Sequence, residues 1–251
     1  MRAPVNMQNQ HGREIKALSL LSGGLDSSTL LGLVLSRGYD VTALTFDYGQ
    51  RHSRELQSAK NVASHYGVDH RIIKIDLRNI GGSSLTDDIS IPEIPLESIG
   101  KEIPTTYVPA RNTILLSIAL GYAEVMNASK IFIGANYLDY SGYPDCRPEY
   151  FEAINNLFKL ATKKTVEGGR IEVEAPLLKY TKADIVKLAK KLSVPLELTW
   201  SCYRGGRLAC GKCDSCKLRL KGFLEAGETD PLEYETLPDF YLSYLNSRKN
   251  K

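Results

Sequence analysis

Four of the five cysteines are crowded into the C-terminal part of the chain: Cys202, Cys210, Cys213 and Cys216. Zinc binds four thiolates in a tetrahedron, and such a site without an open position is structural rather than catalytic. Five cysteines are too few for a disulfide scaffold in a chain of 251 residues. Redox cysteines and an iron–sulfur cluster are the alternatives, but the common iron–sulfur spacings differ from this one. The pattern predicts a structural zinc site.

A second group suited to chemistry is the hexapeptide Ser22–Ser27, SGGLDS, between an apolar run and a helical pattern. Glycines let the backbone approach an anion, and the amides and dipole of a helix N-terminus bind phosphate. The two serines add hydroxyl donors, and Asp26 is placed to cap the helix or to help hold magnesium. The segment is neither a Walker A loop nor a dinucleotide-binding fingerprint. An ordinary glycine-rich turn is the alternative, but the full hexapeptide after the first strand favours a phosphate-binding loop.

The elements that must position these residues alternate between strand and helix. We predict strands at 16–21, 41–46, 70–75, 130–134 and 171–175, and helices at 27–36, 53–65, 112–126, 151–162 and 181–192. This spacing is typical of βαβ units, in which a parallel sheet is covered on both faces. The predicted fold class is α/β, a doubly wound, Rossmann-like parallel sheet with a C-terminal helical zinc-binding appendage.

The same pattern divides the chain. Residues 1–14 are polar and are predicted to be a disordered tail, 15–195 a nucleotide-binding domain, and 196–251 the zinc-binding segment and a tail. The alternation of strands and helices is interrupted at 77–108, where glycines and prolines indicate a long insertion of the kind that forms lids or binding loops. A second irregular, aromatic stretch covers 136–150.

The hexapeptide resembles the SGGxDS loop of the N-type ATP pyrophosphatase (PP-loop) family. This resemblance implies that 15–195 has an adenine nucleotide alpha hydrolase-like fold. It also implies that the loop binds the pyrophosphate part of ATP while a substrate oxygen attacks the α-phosphorus, giving an adenylated intermediate and pyrophosphate. The implied ATP-binding residues are Leu21, Ser22, Gly23, Gly24, Leu25, Asp26, Ser27 and Ser28.

Four further stretches narrow the resemblance. They are FDYGQRH at 46–52, YVPARN at 107–112, DYSGYPDCRP at 139–148 and the cysteine cluster. Together they resemble the QueC family of queuosine and archaeosine precursor synthesis, over about 17–223. One departure is Ala110, where the family usually has glycine, and it bears on the backbone conformation of that loop.

The resemblance implies an ATP-dependent carbon–nitrogen ligase that converts 7-carboxy-7-deazaguanine and ammonia to 7-cyano-7-deazaguanine (preQ0). Adenylation would make the carboxylate oxygen part of AMP, a good leaving group, so that ammonia can form the amide. A second adenylation, on the amide oxygen, followed by loss of AMP would give the nitrile. ATP is therefore an implied substrate, and Mg²⁺ the implied cation that neutralises its phosphates.

Site residues follow from the resemblance together with the residue types. Asp26, Arg111 and Lys182 are predicted to be catalytic, the two cations by neutralising phosphate charge. Substrate contacts are predicted for Tyr48, Arg111, Asn136, Asp139, Tyr143 and Asp145. The alternatives are surface roles for the cations and loop packing for the tyrosines. His52 is either a proton carrier or a capping or surface histidine, and Cys146 is expected to pack within its motif rather than act as a nucleophile.

Charge and hydropathy restrict the partners. The net charge of +3 is weak, and no apolar run reaches the length of a membrane span. We therefore predict a cytoplasmic enzyme that binds small molecules and neither nucleic acid nor membrane; the resemblance adds a homodimer. One alternative is the same adenylation applied to an RNA base, although no RNA-binding module is recognisable. The other is a zinc-stabilised nucleic-acid-binding module without catalysis, which would leave the phosphate loop without a purpose.

Overall fold

A computed structural model describes residues 15–138 and 143–249. One sheet contains the strands β1 (Lys16–Leu20), β2 (Asp40–Asp47), β3 (Asp69–Lys74), β4 (Lys130–Phe132) and β5 (Glu172–Glu174). All neighbouring pairs are parallel, and the strand order is β3-β2-β1-β4-β5. The order reverses between β1 and β4, and parallel sheets bind ligands at the carboxyl edge of such a switch point. The predicted α/β class with a parallel sheet is confirmed.

Helices cover both faces of this sheet. They are α1 (Leu25–Ser36), α2 (Arg54–Tyr66), α3 (Arg111–Val125), α4 (Pro148–Phe158), α5 (Lys163–Val166), α6 (Lys182–Lys191), α7 (Asp214–Ala226) and α8 (Asp239–Lys249). Short 3₁₀ turns lie at Leu96–Ser98, Pro144–Cys146 and Leu196–Leu198. Among the described helices, none has both the length and the apolar character of a membrane span.

The core lies in two layers because adjacent strand residues point to opposite faces of a sheet. On β4, Ile131 belongs to the layer under α3 and α4, whereas the next residue, Phe132, belongs to the layer under α1, α2 and α6. Both side chains are fully buried. The sheet is therefore apolar on both sides, as its near-continuous hydrophobic strands require.

The C-terminal segment shares this core. Leu220 and Phe223 of α7 are fully buried in the layer with α1 and α6, and Tyr241 of α8 joins them. The structure thus adds α8 in a stretch for which the sequence indicated only a tail. The predicted domain boundary at residue 195 stays a prediction.

Candidate active site and metal centre

The phosphate loop lies between β1 and α1 and packs tightly against α2. Gly23 has φ of +81°, a left-handed conformation that glycine adopts without strain. A Cβ atom on Gly23 would lie 2.5 Å from the amide nitrogen of Ala59 and 2.6 Å from the carbonyl oxygen of Glu55. Only glycine fits this position.

Two serine hydroxyls hold the loop in shape. The Ser22 amide donates to Ser27 Oγ at 3.2 Å, the two hydroxyl oxygens are 3.0 Å apart, and the Gly24 amide donates to Ser22 Oγ at 3.3 Å. The loop therefore turns back on itself directly before α1. The first amides of a helix have no partner within the helix, so this end of α1 is suited to bind an anion.

Asp26 and Lys182 meet beside the loop although they are far apart in sequence. Lys182 Nζ donates to both carboxylate oxygens of Asp26, at 2.9 and 2.7 Å. Lys182 is the first residue of α6, where Thr181 and Asp184 form a reciprocal capping box. The Lys182 side chain is 10% exposed. The structure thus brings two predicted catalytic residues into one ion pair at the edge of the loop.

A cavity of about 280 Å³ opens at the carboxyl edge of the sheet, over β1, β2 and β4. Of the predicted site residues, those that line it are Leu21, Ser22, Gly24, Leu25, Asp26, Ser27, Tyr48, Arg111, Asn136, Tyr143 and Lys182. Gly23, Ser28 and Asp145 do not line it, and Asp139 lies outside the described residues. Gly23 instead carries the loop past α2, and the Ser28 side chain is fully buried. The site assignments themselves stay predictions.

Arg111, at the start of α3, supplies fixed positive charge to this cavity. Burial works against its charge, but Tyr48, Tyr143 and Asp145 outweigh burial and raise the pKa of Arg111. Burial raises the pKa of Tyr48 to about 12, although Arg111 interacts with its hydroxyl and opposes the shift. A permanent cation next to neutral tyrosines is suited to bind a planar anion.

Asp145 and Cys146 support the start of α3. The backbone amide of Asn112 donates to Asp145 Oδ2 at 3.0 Å. The side-chain Nδ2 of Asn112 donates to the Asp145 carbonyl oxygen at 3.0 Å and to Cys146 Sγ at 3.5 Å. The Asp145 side chain is thus engaged with the helix that carries Arg111. Burial raises the pKa of the Cys146 thiol to about 11, so it is protonated at neutral pH. This environment favours the packing role expected for Cys146.

The insertion at 77–108 forms a wall of the site. Leu85 lines the cavity, and the Ser84 amide donates to the Thr105 carbonyl oxygen at 2.8 Å, which closes the insertion on itself. Lys217 Nζ donates to the Ile94 carbonyl oxygen, and Arg204 pairs with Glu93. The insertion is therefore attached to the cysteine-bearing segment.

Several residues that line the cavity were not predicted from the sequence. They are chiefly Glu55 at the start of α2, and Trp200, Ser201, Tyr203 and Arg219 of the C-terminal segment. Burial raises the pKa of Glu55 to about 7; Arg111 opposes this shift and the Cys202 sulfur adds to it. Two features of the sequence could have pointed to them: Glu55 closely follows FDYGQRH, and Trp200, the single tryptophan, lies two residues before the first clustered cysteine.

His52 does not line the cavity and packs on the C-terminal segment. A Cβ atom on Gly205 would lie 2.1 Å from His52 Cγ, so the ring occupies the space that this glycine leaves open. Burial lowers the pKa of His52, partly offset by the backbone of Tyr203 and Cys202. His52 is half-buried and packs against Gly205; it does not cap α2, whose N-cap residue is Ser53.

The four clustered cysteines form a compact, buried group. Their sulfur atoms all lie within 4.8 Å of one another, and Cys210 Sγ is 3.9 Å from Cys216 Sγ. Four sulfurs at about 2.3 Å from zinc in a tetrahedron are about 3.8 Å apart, so the group fits the ion. The amides of Arg204 and Cys210 point at Cys202 Sγ, at 3.4 and 3.3 Å. This group could bind zinc with no position left open.

Trp200 connects the cysteine group to the phosphate loop. Its amide donates to the Gly23 carbonyl oxygen at 2.8 Å, and its indole Nε1 donates to the Cys202 carbonyl oxygen at 2.9 Å. The Arg54 guanidinium lies 4.2 Å from the centre of the indole ring, a cation–π distance. The conformation of the loop is therefore tied to that of the cysteine-bearing segment.

The chain is similar to known proteins over most of its length. The family model described as queuosine biosynthesis protein QueC matches residues 16–227. A 7-cyano-7-deazaguanine synthase from Thermoplasma acidophilum is 60% identical over 234 residues, covering 93% of this chain and 98% of the relative. The synthase of the same name from Picrophilus torridus is 59% identical over 233 residues, covering 93% and 97%. The one from Trichodesmium erythraeum is 56% identical over 221 residues, covering 87% and 100%.

Proposed function

Because this chain belongs to the QueC family, we propose that it converts 7-carboxy-7-deazaguanine and ammonia to 7-cyano-7-deazaguanine at the expense of ATP. The observation that supports this most directly is the cavity, which places the anion-binding start of α1 and the cation of Arg111 on the walls of one space. The relatives named as synthases are covered almost end to end, so nearly all of their chain has a counterpart here.

The triphosphate of ATP binds at the start of α1. The free amides and Ser22 take phosphate oxygens, and the ammonium group of Lys182 lies beside them. Asp26 holds Lys182 in place and offers carboxylate oxygens for Mg²⁺, which when bound neutralises phosphate charge. These contacts stabilise pyrophosphate as it leaves the α-phosphorus.

The deazapurine carboxylate binds to Arg111. The guanidinium presents paired N–H donors that match a carboxylate, and its charge is permanent in this environment. The rings of Tyr48 and Tyr143 flank the same space and offer apolar faces for the bicyclic ring. Asn136 and Asp139 are proposed to form hydrogen bonds with the polar edge of the ring.

The chemistry proceeds in two adenylations. A carboxylate oxygen attacks the α-phosphorus and expels pyrophosphate; ammonia then attacks the acyl carbon and AMP leaves, which gives the amide and releases a proton. The amide oxygen attacks a second ATP in the same way. The C–O bond to AMP then breaks as the nitrogen loses its remaining protons, and the nitrile forms. Each stage replaces a very basic leaving group by AMP.

The four cysteines hold a structural zinc ion that fixes the C-terminal segment against the nucleotide-binding part, 15–195. The enzyme is a carbon–nitrogen ligase that acts in the cytoplasm on small molecules rather than nucleic acids, as a homodimer, in the supply of a queuosine or archaeosine precursor.

The test is a product assay. Purified protein with 7-carboxy-7-deazaguanine, ammonium and Mg-ATP is expected to give the nitrile, detected by mass spectrometry, with two AMP and two pyrophosphate per nitrile. Replacing Asp26 by Asn should abolish ATP consumption while the protein stays folded. Active-site-intact, zinc-loaded protein that makes no nitrile would refute the proposal, and ATP consumption that requires bulk tRNA would point to an RNA base as the substrate.

A further inference from the structure

The proposed reaction, on which this inference rests, needs a base as well as phosphate-binding cations. When ammonia attacks the acyl carbon, its nitrogen becomes positively charged and must lose a proton before the amide is stable. When the nitrile forms, the imidate nitrogen must lose its last proton as the bond to AMP breaks. A positioned base that takes these protons typically contributes 10²- to 10⁴-fold in rate.

Few groups in the cavity can serve as this base. Among the described residues that line it, the carboxylates are Asp26 and Glu55. Both oxygens of Asp26 accept hydrogen bonds from Lys182. Glu55 forms no hydrogen bond or ion pair with any residue that the structure describes. Within the described part of the cavity wall, the Glu55 carboxylate is thus available to accept a proton.

Several other titratable groups that the structure describes in the wall are poor bases at neutral pH. Burial raises the pKa of Tyr48 to about 12 and that of Cys146 to about 11, and both are therefore protonated. Arg111 and Lys182 are cations that attract anions rather than accept protons. His52 lies outside the wall.

The position of Glu55 suits this role. Its backbone carbonyl oxygen lies against Gly23 of the phosphate loop, and its side chain lines the same cavity as Arg111, to whose charge it is coupled. A substrate whose carboxylate is held by Arg111 and adenylated at the phosphate loop has its acyl carbon between Arg111 and the loop. Ammonia that approaches this carbon from the Glu55 side places its protons next to a free carboxylate.

We propose that Glu55 is a catalytic residue, the general base of the nitrogen-dependent steps. In the first, the N–C bond forms, the C–O bond breaks with its electron pair leaving on AMP, and a nitrogen proton moves to a Glu55 oxygen. In the second, Glu55 takes the imidate nitrogen proton as the C–O bond breaks and the C≡N bond forms. Between the steps the proton is released to water.

The test separates adenylation from the nitrogen steps. Exchange of labelled pyrophosphate into ATP, with the carboxylate substrate but without ammonium, reports adenylation alone. Amide and nitrile formation with saturating ammonium report the steps assigned to Glu55. Glu55→Gln should keep exchange within about threefold of the unmodified enzyme and lose at least about 100-fold in amide and nitrile formation. Glu225→Gln, an exposed glutamate of α7 away from the cavity, should match the unmodified enzyme in both assays.

Each outcome decides the proposal. Glu55→Gln that makes the nitrile at near the normal rate, or that loses exchange as severely as nitrile formation, would overturn it. If Glu55→Gln fails to fold, Glu55→Asp is measured in the same two assays. Pyrophosphate exchange must then stay near normal, and formation of the amide and nitrile must fall by at least about tenfold, because the shorter side chain misplaces the base. An unmodified enzyme that makes no nitrile would instead refute the proposed function.

Discussion

Gly222 of α7 lies directly against the stem of Lys182. A Cβ atom on Gly222 would be 2.4 Å from Lys182 Cγ, 2.9 Å from its Cβ and 3.1 Å from its backbone carbon. The lysine therefore reaches Asp26 through space that exists only because α7 has no side chain at this point. Because the backbone of α6 is close as well, a rotamer change of the lysine alone cannot make room.

Replacement of Gly222 by Ala should therefore damage both stability and ATP use. We expect the free energy of unfolding to fall by about 1–3 kcal/mol, since α6 and α7 must separate to fit the methyl group. The displaced lysine should reduce ATP consumption by roughly tenfold or more, the range of a lost electrostatic contact. Urea denaturation and steady-state kinetics measure the two effects.

The matched control is Gly121→Ala on α3, where an added Cβ meets no atom within 4 Å. That variant should be stabilised by about 0.5–1 kcal/mol, because alanine is the better helix residue. Equal behaviour of the two variants would show that the packing of Gly222 on Lys182 is unimportant.

Loss of the metal site should weaken ATP binding and not only stability, because Trp200 ties Cys202 to Gly23. Cys216→Ser is expected to lower bound zinc well below one ion per chain and the melting temperature by several degrees. At a temperature where it is still folded, its KM for ATP should rise several-fold. Zinc analysis and kinetics check this.

The control for the metal site is Cys146→Ser, which removes a buried thiol outside the cluster and should keep one zinc per chain. A zinc-free Cys216→Ser protein with an unchanged KM for ATP would contradict the proposed coupling through Trp200.

The parts of the site that could be predicted are those that depend on residues close together in the sequence. The phosphate loop, the sheet and the cysteine cluster each follow from short-range residue types and spacing. The ion pair of Asp26 with Lys182 was not predicted, although both residues fall at helix starts on the same sheet edge. Its geometry depends on Gly222, a helix-interior glycine that periodicity alone does not explain.

Other parts depend on packing between distant segments. Arg219 is fully buried, bonds both oxygens of Asp230 and also contacts Thr199 and Ser201, yet in sequence it is one of many charged helix residues. Glu55 likewise looks like an ordinary acidic residue in a first helical turn. The burial of α8 against the layer that contains α7 becomes evident only when both elements are placed, because its apolar residues alone do not show what they pack against.

Ala110 is strained in this fold. It has φ of 53° and ψ of 19°, the left-handed conformation, directly before α3. For a residue with a Cβ atom this conformation costs roughly 1–2 kcal/mol, and glycine avoids the cost. Ala110→Gly should therefore raise the free energy of unfolding by about 1 kcal/mol. Chemical denaturation measures the change.

The control for Ala110 is Ala153→Gly, on the exposed side of α4, which should destabilise the protein by about 1 kcal/mol. Opposite signs for the same chemical substitution would isolate the backbone effect. Destabilisation by both variants would contradict the strain assigned to Ala110.

Glu55 should make the stability of the protein depend on pH. Its pKa is raised from 4.5 to about 7, chiefly by burial, with Arg111 opposing and the Cys202 sulfur adding to the shift. Between these two pH values the unfolded chain has released the proton that the folded protein still holds. The folded state therefore loses stability as pH rises from about 4.5 to 7, and the loss is complete above pH 7.

Glu55→Gln removes this titration, so its stability relative to the unmodified protein should increase through the same pH window. The difference between pH 5 and pH 8 is expected to be on the order of 1–3 kcal/mol. Urea denaturation of the zinc-loaded proteins at both pH values measures it, with Glu225→Gln as the variant that should show no such change. A pH-independent difference between Glu55→Gln and the unmodified protein would mean that this carboxyl titrates normally, and that the cavity does not isolate it from water.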